Sequence, residues 1–228
     1  MSLRLWIVRL RGWLAGRAFE RAARDPERTQ RELLRRILEA NSDTEFGRAH
    51  GFGEIQDADG YRSQVPIRDY EGHREFVDRV VAGETKMLTT EAPFMFASTS
   101  GTTRKPKWIP VTESWRRELA TLVRLWLARA TYAHPRMLGG KVLTVVSPAV
   151  EEITPAGIPV GSVSGLTNQK VPWLIRRSYA LPYEVADIED YELRYYVIAR
   201  LAAEKDVTAI ITPNPSTLLR LAAVAQQN

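Results

Sequence analysis

Apolar residues recur along this chain with helical spacing in some stretches and as short continuous runs in others. That alternation sets the expected architecture. Leu3, Trp6, Ile7, Leu10, Trp13 and Leu14 follow the i, i+3, i+4, i+7 spacing of one helical face. Arg4, Arg9 and Arg11 fall away from that stripe. Two roles suit such a helix. The preferred one docks the apolar stripe on the body of the protein. The other lays the helix on an anionic membrane, where Trp and Leu opposite Arg are at home. A second helix is expected from Pro26, with Asp25 as its cap and Leu33, Leu34, Ile37 and Leu38 as its buried stripe. Residues 41–68 contain Gly47, Gly51, Gly53 and Gly60 and read as connecting structure with little regular helix. From Asp69 to Val81 the spacing is helical again, with Tyr70, His73, Phe76, Val77 and Val80 on one side. Gly83 terminates this helix, and His73 reads as a packed histidine.

Phe94 to Ala97 is an apolar run of strand length, and it leads directly into a polar loop. Thr112 then caps a helix to about Ala130, with Leu119, Leu122, Val123 and Trp126 as its apolar stripe. A strand is predicted over Lys141–Val146, and residues 147–172 read as loop-rich. A helix follows over Ile188–Glu204, where Tyr195 and Tyr196 suit core packing. Val207–Ile211 is a β-branched strand. Thr212-Pro213-Asn214-Pro215 forms a turn, and Ser216 caps a last helix. Strands alternating with helices predict an α/β class with a mostly parallel sheet and flanking helices. The expected division is an N-terminal helical segment, 1–40, packed on an α/β body, 41–228.

Composition narrows the chemistry. There is no cysteine, which excludes disulfides, thiol nucleophiles and Cys-based metal sites. His50, His73 and His134 show no metal-ligand spacing, so no metal ligand is assigned. The net charge of +5 is unevenly spread. Residues 1–36 hold ten Arg against four acidic residues, whereas residues 37–228 hold 22 basic and 23 acidic residues. The basic character belongs to the N-terminal segment, so the body does not read as a nucleic-acid binder. Arg9 and Arg11 interrupt the first apolar stretch, which excludes a secretory signal of the usual kind. The expected setting is cytoplasmic.

The loop after the Phe94–Ala97 run carries the chemistry. Thr99, Ser100, Thr102 and Thr103 surround Gly101, and Lys105 and Lys107 follow. Hydroxyls and backbone N–H groups donate to phosphate oxygens, and Gly101 lets the backbone come close. A lysine at the far end supplies a point charge. The second glycine of a Walker A loop is missing. By composition the run fits a polar surface loop at least as well, and it is the order of its residues that favours a phosphate.

Thr99 to Lys107 resembles the phosphate-binding signature of adenylate-forming enzymes, the superfamily of acyl-CoA synthetases and firefly luciferase. Asn41 to Phe52 is similar to a stretch of the auxin-responsive promoter family of acyl-acid amido synthetases. Val65-Pro66, Gly83-Glu84, Lys107 to Thr112 and Thr212 to Leu219 follow in family order, and the match points to the bacterial branch. The resemblance implies joining a carboxylic acid to ATP, release of pyrophosphate, and transfer of the acyl group to an amine or amino acid. Thr99, Ser100, Gly101, Thr102 and Thr103 would cradle the triphosphate, with Lys107 beside it. Preorganised donors there would stabilise the charge building on the departing pyrophosphate.

Two departures stand out. Arg104 replaces the signature's second glycine. If that position needs φ > 0, a side chain costs about 1–2 kcal/mol, although the arginine could instead add a phosphate contact; weakened or altered nucleotide binding is the favoured outcome. The family's chains are also well over twice as long. The resemblance therefore places the adenine and ribose contacts, the Mg²⁺ ligands and the mobile C-terminal domain beyond Asn228, leaving this chain catalytically incomplete. Arg124 and Arg129, on the helix after the loop, and Asn214 are candidates to face the substrate carboxylate. For each, a structural role is the competing reading. An acyl-coenzyme A ligase half, or a non-catalytic remnant or interaction module with a membrane-surface helix over residues 3–14, are the alternatives.

Overall fold

The computed structural model describes residues 3–99 and 106–227. These fall into two compact units. One comprises residues 14–122 and 152–160, the other residues 1–13, 123–151 and 161–228. The helices are α1 (Leu3–Ala23), α2 (Pro26–Asn41), α3 (Glu45–Ala49), α4 (Ala58–Gln64), α5 (Glu71–Val81), α6 (Glu113–Ala133), α7 (Val163–Gln169), α8 (Trp173–Arg176), α9 (Tyr191–Ala203) and α10 (Ser216–Gln227). The strands are β1 (Met95–Thr99), β2 (Lys107–Val111), β3 (Lys141–Thr144), β4 (Glu152–Ile153), β5 (Pro159–Gly161) and β6 (Val207–Ile211).

The class is α/β, but the sheets are small and partly antiparallel. A four-stranded sheet runs in the order β2-β1-β5-β4, with β1–β2 and β4–β5 antiparallel. β3 and β6 pair in parallel in a separate two-stranded sheet, and Val142 makes a further parallel bridge to Tyr179. The expectation of a mostly parallel sheet is corrected because β2 is a strand. Lys107 to Val111 includes Pro110, which the sheet tolerates because β2 is an edge strand.

In the first unit, Val77, Val80, Met87, Phe96 and Val160 form one buried cluster, and Leu38, Phe46, Phe52, Ile55 and Val65 form another. Phe76 and Leu88 pack against both. Asp25 caps α2 as predicted, accepting from Arg28 N at 3.0 Å. Residues 41–68 hold more helix than their glycines suggest. Thr44, fully buried, accepts from Gly47 N at 2.9 Å and donates to Asn41 O at 2.7 Å, which starts α3. Asp57 caps α4 in the same way, accepting from Gly60 N at 2.8 Å. A short side-chain acceptor at an N-cap satisfies helix donors that composition alone does not reveal.

Thr112 precedes α6, its Oγ1 accepting from Trp115 N at 3.4 Å. Glu91 adds a second acceptor there, taking Ser114 N at 2.9 Å. That hydrogen bond is the main reason the Glu91 carboxyl sits below its ordinary value.

In the second unit, Leu143, Val145, Ala180, Leu181, Val185 and Ile198 form the core beneath β3 and β6. Residues 147–172 contain β4, β5 and α7 rather than open loop. Gly165 lets α7 lie against the chain at Ser147: a Cβ there would lie 2.2 Å from Ser147 O. The same unit holds the start of α1 and the end of α6. Leu5 and Gly12 of α1 are buried, as are Ala128 and Thr131 of α6. A Cβ on Gly12 would meet Ala128 Cβ at 2.0 Å. Arg9 donates to Thr131 O at 2.7 Å and lies 4.4 Å over the Tyr132 ring. The docked face of α1 is therefore its small-residue face. The predicted docking of Trp6, Ile7, Leu10, Trp13 and Leu14 is overturned, since all five are exposed. Leu122, Val123 and Trp126 of α6 and Ile37 of α2 are likewise exposed, against expectation. Backbone proximity at glycine and alanine outranked the size of the apolar side chains.

Gly12→Val should cost about 1–3 kcal/mol of stability, because neither helix backbone can retreat without opening the contact. Urea denaturation checks it. Glu91 contributes stability that is present above its ordinary value of 4.5 and lost as pH falls through its depressed one. Glu91→Gln should flatten that part of the acid limb in a series of thermal melts from neutral to acid pH.

Candidate functional site

The site is built on the β1–β2 ladder. Met95 opposes Val111 at one end, and Thr99 opposes Lys107 at the other. The predicted phosphate loop is therefore the connection of an antiparallel hairpin. The structure brings together Thr99 and Lys107 as direct cross-strand neighbours. Ser100, Gly101, Thr102, Thr103 and Arg104 lie outside the described residues. The base of the hairpin is anchored by Phe96, fully buried, whose ring lies 6.1 Å from that of Trp108.

Tyr70 holds the exit of the loop. Its hydroxyl accepts from Trp108 N at 2.9 Å and donates to Trp108 O at 3.2 Å. It thereby caps the outward backbone groups of an edge strand, which would otherwise face solvent or another chain. Lys107 Nζ lies 5.7 Å from the centre of the Tyr70 ring, and Arg74 lies 4.9 Å from it. Both distances are within cation–π range. Tyr70 was legible in the sequence only as an apolar-face residue of the helix expected over Asp69–Val81; it stands as the N-cap of α5. The available signal was a tyrosine in place of phenylalanine, because a buried hydroxyl needs a partner. Trp108 Nε1 is buried with no hydrogen-bond partner among the described residues, a spare donor one residue from Lys107.

The stretches around the hairpin are scaffold. Arg79 pairs with Glu45 of α3 and, at 2.6 Å, with Glu84 after α5. Asp43 pairs with Lys86 at 2.5 Å, and this holds its carboxyl below the usual range. His73 gives no sign of catalysis: its Nδ1 lies 2.9 Å from Asp69 O and its ring 5.6 Å from that of Phe46.

The other candidates belong to the second unit. Arg124 and Arg129 are exposed on α6. Asn214 is occupied structurally: its Oδ1 accepts from Ser216 N at 3.0 Å and Ser216 Oγ at 2.9 Å. It opens α10 in the role expected of Ser216, as an Asx turn between two prolines. Tyr195 is buried and Tyr196 exposed. Among the described residues no three His, Asp or Glu side chains gather to hold a metal ion.

A family model described as the GH3 family N-terminal domain matches residues 15–228. The chain belongs to the GH3 family. It is 33% identical over 143 residues to the jasmonoyl–L-amino acid synthetase GH3.5 of Oryza sativa subsp. japonica, covering 61% of this chain and 24% of that protein. It is 31% identical over 162 residues to the indole-3-acetic acid-amido synthetase GH3.10 of Arabidopsis thaliana, covering 67% of this chain and 27% of that one. A solved structure of the GH3.15 acyl acid amido synthetase superposes with a TM-score of 0.76 over 92% of this chain and 38% of the other. At 20% identity that likeness speaks for the fold. This GH3 chain thus spans roughly a quarter of the length of the curated relatives it matches. The stretches that suggested the family divide by role. Asn41–Phe52 and Gly83-Glu84 meet through Arg79, Thr212–Leu219 starts a helix, and Lys107–Thr112 forms the second strand of the loop-bearing hairpin.

Tyr70→Phe in this GH3 chain should leave the fold intact while removing both bonds to Trp108. A loss near 1.4 kcal/mol would speed exchange of the Trp108 amide about tenfold. Hydrogen-exchange NMR reads it directly.

Proposed function

We propose that this chain supplies the N-terminal, phosphate-gripping part of an ATP-dependent acyl-acid amido synthetase. The observation that carries this reading is the hairpin, which sets Thr99 and Lys107 opposite each other at the root of a loop of hydroxyls, glycine and cations. That donor set suits a polyphosphate: many neutral donors, one point of close backbone approach, and a mobile positive charge at the rim. Thr99, Ser100, Gly101, Thr102 and Thr103 would hold the phosphates of ATP, and Lys107 would neutralise charge as pyrophosphate departs. Tyr70 and the sheet would fix the direction from which Lys107 approaches. ATP supplies the activating group: the carboxylate attacks the α-phosphorus, the bond to pyrophosphate breaks, and an acyl adenylate results.

An adenylate-forming chemistry and a bacterial-type GH3 lineage are parts of this reading. The acceptor would be an amine or amino acid rather than coenzyme A. The names of the rice and Arabidopsis relatives, amido and amino acid synthetases, support that class. The acid would be small, and Arg124, Arg129 or the side-chain amide nitrogen of Asn214 would donate to its carboxylate. Magnesium is assigned no ligand among the described residues and enters no step. A phosphate loop alone cannot fix adenine, metal and nucleophile together, so nucleotide binding should outlast turnover in this chain.

Isothermal titration of the 228-residue chain with ATP tests the reading. Binding should weaken at least about tenfold in Lys107→Ala, on the order of one charge-assisted contact. Unchanged affinity in Lys107→Ala and Thr102→Ala would remove the phosphate assignment. Sustained pyrophosphate release with a panel of carboxylic acids would refute the claim of incompleteness.

A further inference from the structure

The first half of α1 is apolar on two faces. One face, with Leu5 and Gly12 buried, is docked on α6. The other is a stripe of Trp6 (50% exposed), Ile7, Leu10, Trp13 and Leu14 (57% exposed). On a helix of 3.6 residues per turn, Leu10, Leu14, Arg17 and Arg21 follow i, i+4, i+7 and i+11. The stripe therefore continues into exposed cations on the same face, and Arg11 flanks it. Residues 1–24 hold six Arg and one Glu, a balance of +5, equal to the net charge of the entire chain. The family match begins at residue 15, so Trp6 to Leu14 lie outside it. No helix among the described residues is long and apolar enough to cross a membrane.

We propose that the Trp6–Leu14 face of α1 is a binding surface for an anionic lipid bilayer, on which the helix lies parallel to the membrane plane. Charge complementarity selects this occupant. The apolar side chains enter the boundary between headgroups and acyl chains, and the two tryptophans sit at headgroup depth, where their N–H groups stay wet. Arg11, Arg17 and Arg21 meet lipid phosphates at the same level. A nucleic acid would use the cations but leave the Trp–Leu stripe in water. This surface is independent of the ATP-binding reading, because it uses no residue of the β1–β2 hairpin.

The test is co-sedimentation of the 228-residue chain with vesicles. One set is phosphatidylcholine alone, and the other is roughly three parts phosphatidylcholine to one part phosphatidylglycerol. Binding should be at least about tenfold tighter to the anionic vesicles, with a blue shift of tryptophan emission. It should weaken as salt rises from about 0.1 M to 1 M, which shortens screening from about 10 Å to 3 Å. Leu10→Asp with Leu14→Asp should abolish binding, and Arg17→Gln with Arg21→Gln should weaken it. Trp6→Ser provides a second stripe variant should the aspartates disturb folding, and melting curves verify that each variant folds. The proposal is overturned if the chain stays in the supernatant with anionic vesicles, or if binding is unchanged in the stripe variants. Sedimentation velocity in the absence of lipid adds a third outcome. A dimer that dissociates in the stripe variants would make this face a contact between copies and overturn the membrane assignment.

Discussion

Five residues of β1 pair with five of β2, and this ladder governs what the loop between them can do. The last pair, Thr99 and Lys107, closes a connection of seven residues. Side chains alternate across a sheet, so a slip of one residue would turn Lys107 to the opposite face. Three contacts oppose such a slip. Phe96 is sealed in the core on one side, Trp108 packs against it, and the Tyr70 hydroxyl grips both backbone groups of Trp108 on the outer edge. The ion pairs of Arg79 tie α3 and the segment after α5 to the helix that Tyr70 precedes, and Asp43 with Lys86 joins the chain flanking those two helices. The surface pairs among them contribute little singly, but they converge on α3 and α5.

The sequence was most readable where one local rule acted alone. Asp25 before Pro26, Thr112 before α6, and the β-branched run of β6 each specify a boundary or a strand without help from distant residues. The family stretches were also legible, because their residues occur in fixed order. What escaped depended on distant partners. The strand β2 contains a proline and is stabilised by β1 and by Tyr70, some forty residues earlier. The helices within 41–68 depend on side-chain caps, Thr44 buried before α3 and Asp57 exposed before α4. The chain around Gly161–Leu166, part of the stretch read as loop-rich, is held against Ser147 and Ala149 by backbone contact at Gly161 and Gly165.

The candidate site divides in the same manner. Its donor set was visible as a run of hydroxyls, glycine and lysines, whose order rather than composition suggested a phosphate. Its mounting was not visible, since Thr99 and Lys107 become neighbours only through the hairpin. Asn214 is the converse case. Its polar side chain suggested a ligand contact, and the structure spends that oxygen on starting α10.

The meeting of Gly12 and Ala128 has a geometric consequence for the N-terminal helix. With room for no side chain at position 12, the contact works as a key in a slot and fixes the rotation of α1 about its own axis. Any substantial turn would drive Leu5, Val8 or Arg9 into the narrow place that only hydrogen can occupy. The helix cannot roll to hide its tryptophans. Their outward orientation is thus set by one absent methyl group on the far side of the helix, and a change at position 12 would re-aim the whole surface without touching any residue on it.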